Sequence, residues 1–118
     1  MEPESDSNSF LPLTEATFFI LLSLSAGPKH GYAIMKATDQ MSSGRIMFST
    51  GTLYGAIKRL LDQSWIVRNG ETEDGEDEPA RSRKDYALTA LGRRVLNSEV
   101  ARMEGLVRLA VSMRPKEI

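Results

Sequence analysis

The residues best equipped for chemistry lie in one stretch, Ser49-Thr50-Gly51-Thr52-Leu53-Tyr54-Gly55-Ala56-Ile57-Lys58. On a helix, Thr50, Tyr54 and Lys58 recur every fourth residue, with the bare backbone of Gly51 and Gly55 beside them and no acid on that side. Hydroxyls, a cation and approachable amides are the groups that contact a phosphate backbone. Ser49 can cap the helix by accepting from a first-turn amide, and the amides left over, with the helix dipole, favour an anion. The opposite side carries Leu53, Ile57, Leu60 and Leu61, an apolar stripe that needs a core. The stretch therefore reads as a recognition helix, with Ser49, Thr50, Gly51, Thr52, Tyr54 and Lys58 as candidate contacts. Thr52 can instead help cap its own turn, and Arg59 is expected to pair with Asp62 three residues on.

Other elements must hold that helix. A first helix is expected from Thr14 through Phe18-Phe19-Ile20-Leu21-Leu22-Ser23-Leu24 to the stop at Gly27-Pro28. It is apolar nearly all round, so it needs two partners, one inside its own domain and one on a second subunit through residues such as Phe18, Phe19 and Leu22. Lys29-His30-Gly31-Tyr32 opens a second helix that turns Ala33, Ile34, Ala37 and Met41 inward and ends near Ser42-Ser43-Gly44. His30 is the lone histidine and falls at a helix start, which gives neither a metal site nor a catalytic dyad. Arg45-Ile46-Met47-Phe48 is either a short strand or a packed turn. Helix, connection, helix is the helix-turn-helix order, and the length of the connection favours its winged variant.

The pattern then changes to Trp65-Ile66-Val67-Arg68 and, later, Arg83-Lys84-Asp85-Tyr86-Ala87-Leu88, which reads as two antiparallel strands. Residues 69–82 between them form an acidic wing loop that phosphate would repel, leaving Arg81, Arg83 and Lys84 at its base as the wing's contacts. Trp65 is expected as a core anchor, with a ligand-pocket wall as the lesser reading. Thr89 caps a last helix from Ala90 to about Met113, along which Leu96, Val100, Met103, Val107 and Ala110 mark a heptad seam. At about 36 Å such a helix outruns a domain of this size, so its seam calls for a twin chain. The expected organisation is a loose arm over residues 1–10, a winged helix-turn-helix over 11–88 and a dimerisation helix over 89–118. The fold class is mainly α with a small β-hairpin.

Composition narrows the function. The net charge is −1, yet nine of the sixteen acids lie in the tail (Glu2, Glu4, Asp6) and in the 71–78 run, leaving fifteen cations against seven acids on the body. That body can approach a polyanion. The chain has no cysteine, which excludes disulfides and thiolate metal sites and suits a reducing cytoplasm. No apolar run reaches membrane-spanning length, and Met1-Glu2-Pro3-Glu4 lacks the basic start of an export signal. No phosphate loop, acid pair or nucleophile with its base can be assembled, so neither an enzyme nor a cofactor is expected.

Three spaced motifs then come together: Gly31-Tyr32-Ala33-Ile34, Gly51-Thr52-Leu53-Tyr54, and Lys84-x-Tyr86-x-Leu88-Thr89-x-x-Gly92. With Leu60 and Leu61, they resemble the PadR family of bacterial transcriptional regulators, over about Leu13 to Leu96. The single last helix is similar to the short subfamily. The resemblance implies a homodimer that binds an inverted repeat in double-stranded DNA and represses until a ligand or modification releases it, with Tyr32, Thr52, Tyr54 and Lys58 facing the DNA. Two positions depart from the family pattern: Gly55 replaces a frequent proline, and Ser64-Trp65 a frequent Gly-Leu. The alternative function is a winged-helix dimer that binds a small apolar effector or a protein without reading DNA.

Overall fold

The computed structural model describes residues 10–71 and 84–114. Thr14 starts helix α1 (Glu15–Ser25) as expected, its Oγ1 accepting from the Thr17 amide at 3.1 Å. The helix turns Ile20, Leu21 and Leu24 into the core, while Phe18 and Leu22 pack along its edge. Strand β1 (Lys29–His30) follows, then helices α2 (Gly31–Met41) and α3 (Thr50–Asp62), strands β2 (Ile66–Glu71) and β3 (Lys84–Leu88), and helix α4 (Ala90–Met113).

The sheet has one strand more than the sequence suggested. Its order is β1-β3-β2, with Lys29 opposite Tyr86 and His30 opposite Asp85. Lys29 and His30 were expected to open the second helix. His30 instead has extended backbone and serves as N-cap, its Nδ1 accepting from the Ala33 amide at 3.3 Å, so one residue closes a strand and starts a helix. The segment Arg45–Phe48 forms no strand. It is a connection held by the Ile46 amide on Ser42 Oγ at 2.9 Å and by Arg45 on Glu15 at 2.7 Å. Strand β2 runs to Glu71, so the wing loop starts later than residue 69, and residues 72–83 lie outside the described part.

The core joins Ile20, Leu21 and Leu24 to Ile34, to Leu53, Ala56, Ile57 and Leu60 of α3, to Trp65 just before β2, to Ile66 and Tyr86 of the sheet, and to Val95 and Leu96 of α4. Met41, expected inward, is exposed; α2 ends there, and the buried place beyond Ile34 goes to Thr38, whose hydroxyl donates to the Met35 carbonyl. Phe10 does not behave as loose arm, because its ring meets Trp65 edge-on at 5.2 Å. Residues 1–9 lie outside the described part.

Helix α4 is anchored at its start. The Thr89 side chain accepts from the Gly92 amide at 2.9 Å and donates to the Ser64 carbonyl at 2.6 Å, while its amide donates to the Trp65 carbonyl at 3.0 Å. From Glu104 to Arg114 every residue is exposed, so the second half of α4 projects beyond its own domain.

Candidate nucleic-acid interface

Helix α3 divides its residues much as its pattern required. Leu53, Ala56, Ile57 and Leu60 are buried, Leu61 is half-buried, and Thr50, Gly51, Thr52, Tyr54, Gly55, Lys58 and Arg59 are exposed. Ala56 completes the inward stripe. Ser49 is the N-cap: its Oγ accepts from the Thr52 amide at 3.2 Å and donates to Thr52 Oγ1 at 3.0 Å. Thr52 is thus part of the cap as well as of the exposed turn. The amides of Thr50 and Gly51 are left without a helical acceptor, pointing out of the helix start.

The three motif glycines serve different ends. A Cβ on Gly31 would collide with the Tyr54 phenol, and one on Gly92 would collide with the Trp65 carbonyl. The two differ in kind: Gly31 seats the outer end of a ring of α3 on the start of α2, which a side-chain shift can relieve, whereas Gly92 lets α4 lie against the backbone of the α3–β2 turn, which cannot yield. A Cβ on Gly51 would meet nothing within 4 Å, and the same holds for Gly55. Glycine on a helix is unfavourable relative to alanine by up to about 1 kcal/mol, so nothing among the described residues accounts for a glycine at 51.

Tyr54 remains 44% exposed although its ring leans on Gly31. Partial burial, and then the neighbouring Tyr86 phenol, push its pKa above the ordinary value of 10.0. The phenol is therefore protonated at neutral pH and able to donate. Tyr32 is 63% exposed, with Lys36 Nζ 5.7 Å from its ring centre, so α2 adds an aromatic and a cation on its own outer side. Lys58 rather than Arg59 reaches Asp62, at 3.8 Å with both side chains well exposed. Such a pair is worth little and yields readily to a competing phosphate. Lys84 is exposed at the start of β3, opposite Glu71; Arg81 and Arg83 lie outside the described residues.

Trp65 is a core residue, 3% exposed, as the main reading of the sequence expected. An apolar groove of about 560 Å³ lies elsewhere, between α1 and α4, and is lined by Phe18, Val100, Met103, Val107 and Val111 together with Glu104 and Arg108. Four residues assigned to dimerisation from sequence meet there. Leu96 does not join them: it is 4% exposed and belongs to the core, since the first turns of α4 spend that side on the winged-helix body. Phe19 and Leu22 are half-buried on α1, Phe19 edge-on to Phe18 at 5.8 Å, and Ala110 is exposed.

Sequence reasoning missed Glu99. Its carboxylate is buried, accepts from Arg102 Nε at 2.7 Å and Nη2 at 2.9 Å, and accepts from the Leu13 amide at 3.1 Å. The available signal was Glu99-x-x-Arg102, which is indistinguishable in sequence from an ordinary surface pair.

Three helices closed by a small antiparallel sheet, with an exposed third helix and a projecting fourth, define a winged helix-turn-helix protein. The chain belongs to the PadR-like family of transcriptional regulators: the family model, Transcriptional regulator PadR-like family, matches residues 20–98. A transcriptional regulator from Clostridium thermocellum has the same fold, with a TM-score of 0.65 at 19% identity, covering 94% of this chain and 99% of that one. Bacillus subtilis PadR in complex with operator DNA aligns with a TM-score of 0.63 at 21% identity over 91% of this chain and 51% of its own. A PadR family transcription regulator from Clostridium difficile R20291 gives 0.66 at 21% identity, over 82% and 95%. The chain is also 38% identical over 96 residues, 79% of its length, to an uncharacterized 37.1 kDa protein in transposon TN4556 of Streptomyces fradiae, and spans 25% of that relative.

Proposed function

We propose that this chain is a DNA-binding regulator that acts as a homodimer on an inverted-repeat operator, repressing transcription until an effector releases it. The observation that carries the reading is Gly51: an exposed helix start with open amides, where no described residue needs the missing side chain, fits a surface that something else approaches closely. Thr50, Thr52, Tyr54 and Lys58 surround it, with Tyr32 of α2 and Lys84 of the wing on adjoining elements. The complex of Bacillus subtilis PadR with operator DNA supports the same use of the fold. Phe18, Val100, Met103 and Val107 would bury their groove against a second copy, placing two α3 helices about 34 Å apart across one turn of duplex.

The test is a gel-shift and footprint series on the DNA upstream of the coding gene. A protected palindrome is expected, with affinity falling steeply as salt rises, because each cation on a phosphate releases counterions. Lys58→Glu should lose at least tenfold. Failure to discriminate any duplex from random DNA at low salt would refute the reading. The groove also supports a second reading, in which the dimer binds a small apolar effector or a protein partner and no operator. Retention of the dimer with no change in any binding activity in Lys58→Glu would favour it.

A further inference from the structure

Four polar or charged side chains are buried among the described residues: Ser23, Thr38, Ser42 and Glu99. The first three donate to carbonyls three residues earlier in their own helices, so they satisfy themselves locally. Glu99 is different in charge and in reach. It is 2% exposed, and its Oε2 accepts from the amide of Leu13, a residue 86 positions away and just before the N-cap of α1. Arg102, one turn further along α4, completes the carboxylate's bonding through two nitrogens.

Stability alone does not explain such a residue. A buried ion pair commonly does no better than an apolar side chain of similar volume, whereas its directional bonds can select one arrangement of elements. Here the bonds join two particular elements. Before Glu99, α4 is embedded in the winged-helix body through Gly92 on the Trp65 carbonyl and through Val95 and Leu96. The Trp65 amide in turn donates to Leu60 of α3 at 3.0 Å, which ties the start of α4 to the end of the recognition helix. Beyond Glu99, Val100, Met103 and Val107 face Phe18 across the groove. The carboxylate thus sits where α4 passes from the body to the projecting half, and it bonds the backbone that leads into the groove's other wall.

We propose that Glu99 is a positioning residue: by clipping the entry of α1 to α4, it sets the angle at which α4 leaves the body and hence the separation of the two α3 helices in a dimer. The inference rests on the dimer proposed above and adds the element that sets its geometry.

The chain has no cysteine, so Arg59→Cys, on the exposed side of α3, gives a single spin-label site per subunit. Pulsed electron paramagnetic resonance then reads the α3-to-α3 distance in the full chain. The parent should give one narrow distribution. Adding Glu99→Gln, which weakens the clip, or Glu99→Leu, which removes it while filling its volume, should shift or broaden that distribution by about 3 Å or more, one base-pair step. Melting curves run alongside show that each variant is folded. Unchanged distributions in both folded variants would overturn the positioning role and leave the dimer intact. A parent with no inter-label distance at all would overturn the dimer itself, and the positioning role with it.

Discussion

Replacing Gly51 by alanine should separate folding from the proposed recognition of DNA. A methyl at 51 meets nothing within 4 Å, and Gly51 does not have the positive φ that marks Gly27 and Gly44, so the folded chain accepts it without strain. Alanine is the better helix former by up to about 1 kcal/mol, and less in a first turn, so stability should hold or rise slightly. At a helix start that faces phosphate, the same methyl pushes the backbone away from its acceptor. Losing one hydrogen bond to a charged group is worth about 1.5–3 kcal/mol, or roughly 10- to 150-fold in affinity. Fluorescence anisotropy on the footprinted operator, with a thermal melt of the same sample, reads both quantities. An unchanged or higher melting temperature with at least a tenfold weaker operator complex is expected. Operator affinity within twofold of the parent would show that DNA does not approach this turn, and would refute the assignment of Gly51.

Gly92→Ala should do the reverse, lowering stability by about 1–3 kcal/mol in urea denaturation because its methyl meets the Trp65 carbonyl, which cannot move without the sheet. Ser64 holds a left-handed backbone with φ of 66°, at a place where the resembling family often has glycine. Ser64→Gly should therefore stabilise the fold by about 1 kcal/mol, measured by the urea midpoint. Hydrogen bonds from Arg102 and then the Leu13 amide hold the Glu99 carboxyl below its ordinary pKa of 4.5 against the opposing effect of burial. A depressed carboxylate contributes stability that is fully present above its unfolded pKa and disappears as pH falls toward the folded value. The urea midpoint of the parent should accordingly drop more steeply below about pH 5 than that of Glu99→Gln; parallel curves would contradict the linkage.

Much of this molecule was legible from residue order because the signals were local. Thr14, Ser49 and Thr89 each cap the helix that their hydroxyls announced, since capping depends on a side chain and an amide three residues apart. The stripe of α3 and its exposed side followed from helical period alone, and the extent of α4 from its cap and the proline beyond it. The misread places share another cause. Lys29 and His30 became a strand because β3 offered them a free edge, and a two-residue strand has no periodicity to read. Leu96 left the seam for the core and Met41 left the core for solvent, each decided by which neighbours arrived on that side.

Glycines and charges mark the division most clearly. Sequence places Gly31, Gly51 and Gly92 in motifs and marks Gly51 as a candidate contact, but it does not say what the other two are for. Only packing reveals that two make room for Tyr54 and Trp65 while the third faces open space. Glu99 and Arg102 look like any solvated helical pair until the chain folds and brings the Leu13 amide from 86 residues away. Local preference thus determined which segments become helices and which sides they keep apolar. The meeting of distant segments, set by how volumes and hydrogen bonds fit in three dimensions, decided what each side finally touches.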